Sequence, residues 1–93
     1  MTTKAERDHM SMVAGLGCMA CKRLGYETPQ VELHHVNNGA MGKRASNNEV
    51  IGLCHAHHRT GGYGVAVHAG RKAFEKAIGA TERELLEDVF NAL

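Results

Sequence analysis

The sequence predicts a small α+β domain. One antiparallel hairpin is set between an N-terminal helix and C-terminal helices and is clasped by two cysteine/histidine knuckles. Three observations predict it. Apolar residues recur at helical spacing near both ends of the chain, and each such segment opens on a capping box. Two short β-rich runs bracket a polar loop in the middle. Cys18-Met19-Ala20-Cys21 and Cys54-His55-Ala56-His57 stand just outside that hairpin. A length of 93 residues predicts a single domain over residues 1–93.

The elements follow in order. Thr3 and Glu6 form the first capping box, and a helix is expected from Lys4 to Gly15 with Met10, Val13 and Leu16 on one side. Gly15 and Gly17 end it. Cys18 to Cys21 reads as a tight knuckle, and Leu24 to Pro29 as a loop. Val31 to Val36 is the first strand. Period two puts Val31, Leu33 and His35 on one face and Glu32, His34 and Val36 on the other. Asn37 to Asn48 is a polar loop of about a dozen residues, and loops this long in small domains are often functional. Glu49 to Leu53 is the second strand. Gly61 to Gly64 is a flexible turn. Val65 to Ile78 reads as one helix ended by Gly79. Thr81 and Glu84 form the second capping box, and a last helix runs to about Asn91 with Leu85, Leu86, Val89 and Phe90 apolar.

Composition narrows the setting. With two Tyr, two Phe and no Trp, the core must come from Val, Leu, Ile, Met and Ala, so a staple would help a chain this short. The net charge of +1 argues neither for nor against nucleic acid. Its distribution says more: Lys22, Arg23, Lys43, Arg44, Arg59, Arg71 and Lys72 lie in or beside the Cys/His-rich middle, whereas the C-terminal stretch carries Glu82, Glu84, Glu87 and Asp88 against Arg83. No run is long enough to cross a membrane, and the first residues lack the apolar core of a signal peptide. Three cysteines suit a disulfide framework poorly and suit a reducing, cytoplasmic setting with thiolates as metal ligands.

Cys18, Cys21, Cys54 and His57 supply four soft or borderline donors as two knuckles. Structural Zn²⁺ takes four tetrahedral N/S ligands, and three cysteines with one histidine are an accepted set. The two-residue gap lets both side chains of a knuckle reach one ion. Such a closed site holds the fold and carries no chemistry.

Apart from His9 near the N-terminus, His34, His35, His55, His58 and His68 remain. An adjacent pair on a strand, with His58 beside a zinc knuckle, suggests an open divalent site with a neighbouring neutral imidazole to take a proton from water. That is chemistry for hydrolysing a phosphodiester.

The order Cys-x-x-Cys, His-His on a strand, a polar loop with Asn, then Leu-Cys-x-x-His-His resembles the HNH (His-Me finger) endonucleases. It resembles most the phage Ref-type, RecA-dependent recombination-enhancement nucleases and related prophage proteins. The matching runs are Glu32 to Val36, Gly39 to Asn47, Leu53 to His58 and Gly61 to Gly70. The resemblance implies a ββα-metal core and a metal-dependent DNA endonuclease acting in recombination with a RecA filament in a bacterial host cell. It implies His35 as general base, His34 and His58 as ligands of a catalytic metal, and His68 as a further ligand or phosphate contact. Asn47 would orient His35, with Asn48 and Glu49 as neighbouring alternatives. The catalytic metal would be Mg²⁺ by availability, although imidazole-rich sites also suit Zn²⁺, Mn²⁺ or Ni²⁺. Lys43, Arg44, Arg59, Arg71 and Lys72 would contact DNA phosphates. The alternative is an inactive, zinc-stabilised DNA- or protein-binding module, which would need only Cys18, Cys21, Cys54 and His57.

Overall fold

A computed structural model of the chain describes residues 3–36 and 49–93. Four helices, α1 (Lys4–Gly15), α2 (Met19–Leu24), α3 (Arg71–Ile78) and α4 (Glu82–Ala92), surround two strands, β1 (Glu32–His35) and β2 (Val50–Leu53). Two short turns lie between the hairpin and α3: a π-helical turn over Ala56–Thr60 and a 3₁₀ turn over Val67–Ala69.

Both predicted capping boxes form. The Thr3 hydroxyl accepts from the Glu6 amide while the Glu6 carboxylate accepts from Thr3, and Thr81 and Glu84 repeat the arrangement. These reciprocal bonds satisfy amides that the first turn leaves without partners. They fix the starts of α1 and α4 to the predicted residues.

The strands pair antiparallel, Glu32 opposite Leu53 and His35 opposite Val50, and the ladder is continued by the Val36 amide donating to the Glu49 carbonyl. All four residues of β2 are buried, because α1, α2 and α4 all pack against it. Val50, Ile51 and Leu53 meet Val13, Phe74, Leu85 and Val89 in one cluster that also contains the three cysteines. The hairpin is thus a central rib whose β1 edge stays partly exposed, and that edge carries the histidine pair.

Two expectations need correction, and one turn has a form of its own. The single helix predicted over Val65 to Ile78 is broken at Gly70, whose extended backbone (φ 169°, ψ 104°) separates the 3₁₀ turn from α3. The Cys18 to Cys21 knuckle is the start of a helix: Cys18 caps α2, which runs through Leu24 into the predicted loop. The segment after Cys54 is wound wider than an α-helix, with the Gly61 amide reaching back five residues to the Ala56 carbonyl.

Candidate metal centres

Among the described residues two clusters of metal-ligating side chains emerge, and one short segment feeds both. Cys54 and His57 face α2, whereas the adjacent His58 faces β1.

The first cluster joins Cys18, Cys21, Cys54 and His57. The sulfurs of Cys21 and Cys54 lie 3.8 Å apart, and His57 Nδ1 is 3.7, 3.5 and 3.2 Å from the sulfurs of Cys18, Cys21 and Cys54. A tetrahedral Zn²⁺ with ordinary bond lengths requires edges of roughly 3.8 Å between sulfurs and roughly 3.5 Å from sulfur to nitrogen. The donor separations match that polyhedron, so this buried set can hold a metal ion such as zinc. The Cys21 amide and the Thr28 hydroxyl donate to sulfurs of the cluster, at 3.4 and 3.2 Å, and would offset thiolate charge. In the metal-free chain, burial pushes the Cys18 thiol up to about 12. Burial also lowers the His57 pKa and favours its neutral, ligating form.

The second cluster joins His34 from β1, His58 from the π-helical turn and His68 from the 3₁₀ turn. His58 and His68 bring their Nε2 atoms to 2.9 Å, and the His34 ring packs edge-on to both. The break at Gly70 is what frees His68 from a continuous helix and lets it complete the trio. These rings line an open cleft of about 260 Å³ together with Leu33, His35 and Arg59. Strand alternation had set His34 and His35 on opposite faces. Because β1 ends at His35, both nevertheless border the same cleft. Burial, then the charges of His58 and His34, hold His68 below the usual imidazole range, which keeps a lone pair available.

Two carboxylates complete this centre, and the sequence reading missed both. Glu32 accepts from His58 Nδ1 at 2.6 Å and meets His55 Nδ1 at 3.2 Å with its other oxygen. The bond to His58 holds the Glu32 carboxyl below its usual range. It also fixes the tautomer that leaves His58 Nε2 free for a metal. Strand alternation could have found Glu32, which shares a face with His34. Glu82, almost fully buried, lies 3.2 Å from His34 Nε2, and its own amide donates to Glu75. It reads locally as an ordinary first-turn acid, so nothing in the sequence signals the pairing.

Of the remaining predicted residues, Arg71 and Lys72 are exposed on the first turn of α3. Glu49 is paired with Arg83 at 3.0 Å and does not line the cleft. Lys43, Arg44, Asn47 and Asn48 lie outside the described residues.

The chain is thus a small α+β fold with one buried Cys/His cluster that could hold a metal ion such as zinc and one open cluster of imidazoles. A family model described as "Recombination enhancement, RecA-dependent nuclease" matches residues 2–93, so the chain belongs to that family. Comparison with curated proteins finds no match.

Proposed function

We propose that this chain is a metal-dependent DNA endonuclease of the HNH type, of phage or prophage origin, that hydrolyses phosphodiester bonds during RecA-dependent recombination in a bacterial cytoplasm. The observation that carries the reading is the cleft itself: three convergent imidazoles with a fourth, His35, at the rim. The family's description as a RecA-dependent nuclease supports it.

His34, His58 and His68 would hold Mg²⁺ or another divalent cation, with Zn²⁺, Mn²⁺ and Ni²⁺ better matched to imidazole donors. A cation bound there would neutralise charge on the scissile phosphate. His35, at the rim of the cleft, takes the proton of the attacking water as general base. Glu32 holds His58 and Glu82 holds His34, so the ligating rings are set before substrate arrives. Arg59 lines the cleft and contacts a phosphate oxygen, with Arg71 and Lys72 extending that contact along the strand. Asn47, Lys43 and Arg44 take the roles that the family resemblance gives them: orienting His35 and gripping the backbone. Cys18, Cys21, Cys54 and His57 hold Zn²⁺ that stabilises the fold and takes no part in hydrolysis.

The test incubates plasmid and single-stranded DNA with Mg²⁺ or Mn²⁺, with and without RecA filaments, and compares the wild type with His35→Ala. Nicking by the wild type that falls about 10²- to 10⁴-fold in the variant is the expected result. Equal nicking by both proteins would remove His35 from the mechanism. Binding without nicking by either would mark the chain as a zinc-stabilised binding module.

A further inference from the structure

Apart from the histidine cleft, a concavity of about 660 Å³ is lined by Tyr63, Gly64, Lys72, Ala73, Lys76 and Ala77. That volume falls within the roughly 300–1,000 Å³ typical of ligand clefts. Its wall is Tyr63, 80% exposed in a chain with only two tyrosines and no tryptophan. The loop that presents this ring is specific. Gly62 and Gly64 flank it with φ of +78° and +86°, left-handed conformations that L side chains rarely adopt. Neither glycine has an atom crowding its Cβ position, so the turn itself requires them. The ring edge then lies on Gly70, where an added Cβ would stand 2.9 Å from Tyr63 Cε2, and Gly70 is two residues from His68. The floor is small and apolar, Ala73 and Ala77. The rim is cationic: Lys72 and Lys76 form no ion pair among the described residues, as is also true of Lys22, Arg59 and Arg71. Glu75, the acid on the intervening turn, accepts from the Glu82 amide at the start of α4.

We propose that this groove binds an unpaired nucleotide of single-stranded DNA, the base stacked on Tyr63 and the flanking phosphates on Lys72 and Lys76. A tyrosine face over an apolar floor suits a base that is free of its partner, and every base has such a face. Along a duplex the base faces are stacked on one another and only base edges and backbone are presented, so the ring has no face to stack on. The groove would deliver one unpaired strand across Gly70 to the histidine cleft. Its role as a feeder rests on the nuclease reading, but binding is measurable without cleavage.

The experiment titrates fluorescently labelled oligothymidylate, and a duplex of equal length, against zinc-loaded protein without added Mg²⁺ or Mn²⁺, with strand integrity checked on a gel. Tyr63→Ala should weaken oligothymidylate binding roughly tenfold, Tyr63→Phe should retain it, and the duplex should change less than about twofold. Lys72→Gln with Lys76→Gln should flatten the log–log salt slope by about 1.4, two phosphates' worth on a single strand. With Tyr26→Phe as background, the fluorescence of Tyr63 should be quenched by the bound strand. Unchanged oligothymidylate affinity in Tyr63→Ala, with its melting temperature intact, would overturn the proposal. So would an equal loss for strand and duplex. Loss of RecA-filament binding alone would give the groove to a protein partner and would also overturn it. The two readings fail separately. Plasmid nicking with unaltered strand binding removes the groove and leaves the nuclease. A Tyr63-dependent strand affinity in a protein that never nicks does the reverse.

Discussion

The two clusters share a segment and differ in nearly everything else. Cys18, Cys21 and Cys54 are buried, their donors converge with His57 at separations that suit the corners of a closed tetrahedron, and each cysteine belongs to the core cluster. His34 is half-buried, His58 buried and His68 exposed, and their open side faces a cleft. A closed polyhedron leaves no position for substrate; three donors with an open side do. The difference teaches that neighbouring residues, His57 and His58, can serve stability and chemistry separately because the wide turn after Cys54 points them in different directions.

The largest way to break this contrast is to remove the closed cluster. Cys54→Ser should abolish the cooperative thermal transition followed by circular dichroism, since apparent zinc-binding energies of roughly 10–16 kcal/mol are folding energy in domains of this kind. A variant that still melts cooperatively near the wild-type temperature would make the two clusters equivalent in stability. His58→Ala should do the opposite, leaving the melt largely in place while nicking falls below detection. Next in size is Glu32→Gln. Weakening the hold on His58 should cost about 10- to 100-fold in divalent affinity at the open cluster, read by isothermal titration with Mn²⁺, with zinc content unchanged. An unaltered affinity would show that packing alone orients the ring.

How much of this was legible in the sequence depends on the range of the contacts. The capping boxes at Thr3 and Thr81 and the knuckle spacings are local, and they predicted element starts and the closed cluster. Alternation along β1 placed Glu32 with His34 and set His35 on the opposite face. The pairing of Glu82 with His34 spans 48 positions and depends on how α4 docks, which no local pattern encodes. The break at Gly70 was hidden because the apolar positions around it keep helical spacing. The family resemblance had already set His68 beside His34 and His58, and the extended backbone at Gly70 shows how the chain brings it there.

The smallest effect sharpens the same comparison from the side of stability, away from either cluster. Thr81→Ala should lower stability by about 1 kcal/mol through loss of the cap at α4, with nicking unaffected at temperatures well below the melt. Bonds from the Thr81 amide and hydroxyl hold the Glu84 carboxyl below its ordinary value of 4.5. A depressed carboxyl contributes stability that is present above its unfolded value and lost as pH falls through the folded one. Glu84→Gln should therefore shrink the acid-induced drop in melting temperature below about pH 4.5 and leave the melt at neutral pH less stable than wild type. An unchanged acid profile would show that the cap makes no charge-dependent contribution.

The separation of the two clusters is the central claim, and metal stoichiometry tests it most directly. Native mass spectrometry of the wild type, loaded with Zn²⁺ and desalted at stepped concentrations, should show one ion retained to the end and a second lost early. His58→Ala should keep the first and lose the second, with its charge-state distribution still that of a folded chain. Loss of the tightly held ion in His58→Ala, or retention of both, would contradict the account.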